Sequence, residues 1–158
     1  MATLTAVLAA VRDELRGLPE INYLPDSPPE QLSGFQFPAI IVYSRNGEFR
    51  WDSHSSLDPS KPVAGGFRTV TVDVHLARED LEINFAEAVK YADLVPMKLM
   101  DAFLDPEKAL HEMAVTLGRG DGTNGAPIRY LFSAMTYGGV KTIGFQFSVD
   151  VSFMQEIL

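Results

Sequence analysis

The chain has three histidines, His54, His75 and His111, and no cysteine. Thiol catalysis, disulfide frameworks and cysteine-based zinc sites are therefore excluded. Asp73 and His75 stand two residues apart in an alternating run. They share one face of a strand and offer two metal ligands. A metal site needs three or four converging groups, and the sequence marks no third. The plainer reading is a solvated strand face. A serine hydrolase would carry a Gly-x-Ser-x-Gly elbow, and none is present. Glu79, Asp80 and Glu82 precede a helix, where the helix dipole favours negative charge without any catalytic role. Residues 118–125 read Gly-Arg-Gly-Asp-Gly-Thr-Asn-Gly. Such a loop can wrap backbone amides round a phosphate. A Walker loop, however, continues through Gly-Lys-Ser/Thr into a helix, and a Rossmann loop lies between strand and helix. Here Ala126-Pro127 and a strand follow, so the plain reading is a loop. Arg119-Gly120-Asp121 spells an adhesion tripeptide by chance. No metal, cofactor or catalytic set is expected, and the chain does not read as an enzyme.

The totals narrow the class. At 158 residues, with 46% hydrophobic and 22% charged, the chain suits a single domain, 1–158, with its own core. No apolar run approaches the roughly 20 residues that span a bilayer. The N-terminus lacks the basic start and apolar stretch of a signal peptide, which points to cytoplasmic synthesis. Thirteen basic residues against 21 acidic ones leave a net charge of −8. That balance opposes a surface built to grip phosphates, yet suits a wall past which DNA slides.

The elements that position these residues start from residues 142–153. Ile143, Phe145, Phe147, Val149, Val151 and Phe153 alternate with Thr142, Gly144, Gln146, Ser148, Asp150 and Ser152. This is the period-2 pattern of a half-buried strand. Its Phe-rich face must be covered, and its other face meets water or a partner. Residues 68–76 alternate too, with Val70, Val72, Val74 and Leu76 on one face. Phe37 to Tyr43 is continuously apolar and predicts a further strand. Asn46-Gly47 is a hairpin signal, so Glu48 to Trp51 is expected to return along that strand. Residues 52–66 and 118–126 read as loops, and residues 113–117 as a short strand. Ile128 to Tyr137 is a strand joined by Gly138-Gly139 to the last one.

Two helices complete the pattern. Leu4, Val7, Leu8, Val11 and Leu15 form one helical stripe, with Thr3 as cap. Gly17 and Pro19 stop that helix, and Arg12, Asp13, Glu14 and Arg16 read as its solvated side. Phe85, Ala88, Ala92, Val95, Leu99 and Phe103 form a second stripe, opened by a capping box at Asn84 and Glu87. Pro96 should kink this helix. Leu94, Met97, Met100 and Leu104 add apolar surface beyond what one sheet face can cover. The fold class is α+β: one mixed, mainly antiparallel sheet of about four main strands, with two helices on one face.

This layout resembles the tail terminator (tail completion) proteins of long-tailed bacteriophages, the minor tail protein U class. The likeness lies in the helix Leu4–Leu15 followed by Leu18-Pro19 and in the strand opening Phe37-Pro38-Ala39-Ile40. It continues in the strand Thr69–Leu76 leading into the helix Phe85–Phe103, and in the hairpin Ile128–Phe153 turning at Tyr137-Gly138-Gly139. It covers nearly the whole chain, as a layout and without a diagnostic motif. The resemblance implies a virion protein at the head-proximal end of the tail, assembled in the host cytoplasm. Its subunits form a hexameric ring that caps the tail tube and offers the head-joining surface. Expected partners are further copies of the chain, the tail tube protein and a head-completion or connector protein. DNA would pass the lumen without specific binding, and no membrane, catalysis or cofactor is implied. The residues expected at subunit or tail-tube interfaces are Phe49, Trp51, Leu94, Met97, Met100 and Arg119. Two other classes fit the same elements: a head–tail connector or neck protein, and a small α+β ligand-binding domain or enzyme.

Overall fold

A computed structural model describes residues 4–32, 36–44, 47–52, 63–78, 85–113 and 130–156. The chain is an α+β fold in which helices cover one face of an antiparallel sheet. The first helix, α1 (Leu4–Leu15), buries Val7, Val11 and Leu15, the stripe that the spacing predicts. It ends in a tightened turn: the amide of Gly17 donates to the carbonyl of Glu14 at 3.2 Å, and that of Leu18 to Leu15 at 3.1 Å. Five strands follow or intervene: β1 (Ala39–Tyr43), β2 (Gly47–Asp52), β3 (Val63–Arg78), β4 (Leu131–Tyr137) and β5 (Val140–Glu156). Between β3 and β4 lie α2 (Phe85–Leu104) and the short α3 (Ala109–Met113).

The strand order is β1-β3-β5-β4, with β2 also paired to β3. β3 and β5 form the backbone of the sheet, paired from Val63↔Glu156 to Arg78↔Thr142 with one irregularity between His75 and Ala77. On the helix side, Ile40, Val42, Val70, Val72, Val74, Phe145, Phe147, Val149 and Val151 meet Val7, Val11, Leu15, Val95 and Leu99 in one core. Burying a side chain of this size contributes about 2 kcal/mol. Phe132 stands opposite Phe145 in register, and their rings meet edge to face at 5.5 Å. α2 runs unbroken through Pro96, which is buried.

Four expectations need correction. β2 does not return along β1, because β1 and β2 both run antiparallel to β3. β3 is long enough to pair with each in turn. The register moves by one residue between Tyr43↔Thr71 and Gly47↔Arg68. The reversal thus lies between β2 and β3, and residues 63–66, expected in a loop, are paired strand on both sides. Arg12 is not simply solvated: it reaches the carbonyl of Val42 at 2.8 Å. Finally, the second sheet face is not left to water. The connection after α1 folds across it, as described below. The expected cap at Thr3, the capping box at Asn84, the strand at 114–117 and the loops at 53–62 and 118–126 lie outside the described residues.

Candidate interaction surfaces

Two places in the fold gather groups that could act on something else. The first is the outer side of α2. Met97 is 54% exposed and Leu104 is 66% exposed. They are seven residues apart, two turns on one helical side, with the half-buried Met100 between them. Lys90, Asp93 and Asp101 flank them and are exposed. Leu94, expected in the same stripe, instead packs against the main core. It stands one turn after the buried Tyr91 and next to the buried Val95. Leu104 extends the exposed stripe beyond the expected interface set. The apolar spacing of α2 already contained that signal. Tyr130 is a further exposed aromatic, set edge to face against Phe132 and Phe145 at 5.6 and 5.9 Å. Phe49 and Trp51 lie on β2, at register positions opposite Gly66 and Ala64 of β3. Arg119 lies outside the described residues.

The second place is the sheet face away from the helices. Here lies a strap, residues 19–32 and 36–38: its first part borders β1 and packs Ile21 and Leu24 on the helix-side core, and its later part, from Pro29 to Leu32, meets β1 and β4 on this face. The amide of Ile40 donates to the carbonyl of Tyr23 at 2.9 Å, and that of Asn22 to Pro38 at 2.9 Å. A single parallel bridge joins Tyr23 to Ala39. The Tyr137 hydroxyl donates to the carbonyl of Pro29. Leu32, Ala39 and Ile41 form a small second core, with Tyr23, Phe37, Tyr43 and Tyr137 packed round it. Gly138 fits because it has no side chain: a Cβ there would lie 2.2 Å from the carbonyl oxygen of Glu30. Gly138 and Gly139 both take positive φ, 58° and 80°, as a tight two-residue hairpin turn requires.

His75 lies on this face beside Tyr137 at 1% exposure, not on a solvated face. Its Nδ1 is 2.7 Å from the Thr142 hydroxyl. Its ring meets Tyr137 edge to face at 5.5 Å. Among the described residues its Nε2 has no hydrogen-bond partner. Burial holds its pKa below the ordinary 6.5, opposed in part by the negative charge of Asp73. Beyond the strap the face turns polar. Asp73 accepts from the Tyr43 hydroxyl at 2.9 Å and from the Gln146 amide at 2.5 Å, and Thr71 and Ser148 pair at 3.2 Å.

Among the described residues, no three His, Asp or Glu side chains gather so as to hold a metal ion. No described helix is long and apolar enough to cross a membrane. Asp73 and His75 do share a strand face, but each is engaged separately, with Tyr43 and Gln146 in one case and Thr142 in the other. Comparison with known protein families and with characterised proteins finds no match to this chain. The functional reading therefore rests on the chain's own chemistry and layout.

Proposed function

We propose that the chain is a structural subunit of a bacteriophage tail, a tail terminator that assembles into a ring. The ring caps the tail tube and presents the surface to which the head joins. The observation that carries this reading is the outer side of α2. Met97 and Leu104 expose apolar surface on a helix whose inner stripe is already satisfied by the sheet. A neighbouring subunit would bury it. The order of elements agrees with the terminator resemblance from α1 through the β4–β5 hairpin. The net charge of −8 suits a lumen that DNA traverses without sticking. Six copies follow from the resemblance alone.

The test is tail assembly with Met97→Glu and Leu104→Glu. Each places a charge on the exposed side of α2 and leaves the sheet core untouched. Both variants should stay folded by circular dichroism, yet leave tails of uncontrolled length. Tails of normal length with both variants would refute the assembly surface. Electron micrographs of the purified protein, alone and with tail tubes, should show rings seated at tube ends. Rings that bind heads but never tube ends would favour the connector class instead.

A further inference from the structure

We propose that the strap over the second sheet face is an acid-sensitive latch, with His75 as its trigger. The inference is independent of the assembly reading. It starts from a packing fact. His75 is 1% exposed, set against Thr142 of β5 and the Tyr137 ring of β4 and opposite Ala39 of β1, and Tyr137 links it to the strap at Pro29; among the described residues only one of its ring nitrogens has a partner. A neutral imidazole tolerates this, because Nε2 can be left without a proton. An imidazolium carries a proton on both nitrogens. Closed, the strap would then trap an unpaired N–H and a positive charge in an apolar enclosure.

The groups round the ring offer little relief. On β3, Asp73 is the carboxylate whose charge reaches His75, but its oxygens already accept from Tyr43 of β1 and Gln146 of β5. On β4, Tyr137 presents its ring, and its hydroxyl is committed to the carbonyl of Pro29. Lys141, beside Thr142 on β5, is exposed and of like sign to an imidazolium. On the strap, Tyr23 is half-buried against the small core, and Glu30 is exposed. Water is the remaining partner, and lifting the strap admits it. Among the described residues, the later part of the strap is held by the Tyr137–Pro29 hydrogen bond and the small core of Leu32, Ala39 and Ile41, whereas residues 19–26 are also tied to the helix side by Ile21, Leu24, Tyr91 and Arg16. The helix-side core would stay closed. Lifting would uncover Ala39, Ile41 and Tyr137 as an apolar patch available only in acid.

The direction follows from linkage. With the strap closed, the His75 pKa lies below its ordinary value; with the strap open, it returns towards 6.5. The closed form is therefore fully favoured above that pH. It loses ground as pH falls through 6.5 towards the closed-state value. The open fraction should rise about tenfold for each unit by which closure lowers the pKa.

Hydrogen–deuterium exchange of the whole chain, read by mass spectrometry at about pH 8 and about pH 5, tests this, given a correction for intrinsic exchange. Exchange in residues 27–32 should accelerate in acid while α1 keeps its protection. His75→Gln cannot take up a proton and should abolish the acid response. Equal protection of the strap at both pH values would overturn the latch, as would an unchanged response in His75→Gln. Should that variant fail to fold, nitrogen-15 NMR of the wild-type imidazoles decides. Protonation of His75 at or above its ordinary value with the strap still protected would end the proposal.

Discussion

On the helix side of the sheet, Val70, Val72 and Val74 stand opposite Val149, Phe147 and Phe145, and Val95 and Leu99 close over them. On the other side of the same strands, Thr71, Asp73 and His75 stand opposite Ser148, Gln146 and Gly144. One face is held by apolar burial that is continuous through two helices. The other is held by discrete polar pairs and a small apolar cluster under the strap. The difference teaches where each kind of stability resides. Apolar burial is spread over many contacts and is costly to remove anywhere. The strap face depends on a few positions where a hydrogen bond or the absence of a side chain decides the fit.

The largest expected loss is on the helix face. Phe147→Ala empties a core site stacked on Phe145 at 6.4 Å. It should destabilise the fold by about 4 kcal/mol, measured by denaturant unfolding. A loss near zero would mean that the helix layer packs loosely there.

Gly144→Ala comes next. A Cβ on Gly144 would lie 1.8 Å from the carbonyl oxygen of Val74 and 2.9 Å from the Met135 Cε. The methionine can move, but the β3 backbone cannot without breaking its ladder. The cost should be about 3 kcal/mol.

The hairpin glycines sharpen the comparison. Gly138→Ala and Gly139→Ala both place a side chain at positive φ, which costs about 1–2 kcal/mol. Only Gly138 also lies against Glu30 of the strap; the space beside Gly139 is open. Gly138→Ala should therefore be the more destabilising and should alone loosen residues 19–32 in hydrogen exchange. Equal effects would mean that the strap yields freely at Glu30.

Much of the helix face was legible in the sequence, because periodicity records it. The stripe of α1 and the alternation of β5 each name the residues that end up buried. The strap was not legible. Residues 19–38 carry Pro19, Pro25, Pro28, Pro29 and Pro38 and no period, so nothing local reveals that Leu32 and Tyr23 dock on β1. His75 was misread for the same reason: its alternation shows a face, and what covers that face comes from far along the chain. The direction of β2 was missed because a turn dipeptide reports local bending and says nothing of which strand pairs next. On α2 the excess of apolar residues was visible, but helical spacing alone did not separate the inward Leu94 from the outward Met97.

The smallest effect tests the polar half of the strap face directly. Alternation placed Gln146 on a solvated surface, where its loss would cost within about 0.5 kcal/mol. In the structure its amide donates to Asp73 at 2.5 Å and lies 3.3 Å from the Tyr43 hydroxyl. The side chains are only partly buried, so water can replace some of what is lost. Gln146→Ala should therefore cost about 1 kcal/mol, above a surface substitution and well below Phe147→Ala. A double-mutant cycle isolates the contact. If Asp73 and Gln146 bond as the distance indicates, Gln146→Ala should cost clearly less in an Asp73→Ala background than in the wild type, the remainder being its longer contact with Tyr43. A full, additive cost in that background would mean that the Asp73–Gln146 pair does not help to hold this face.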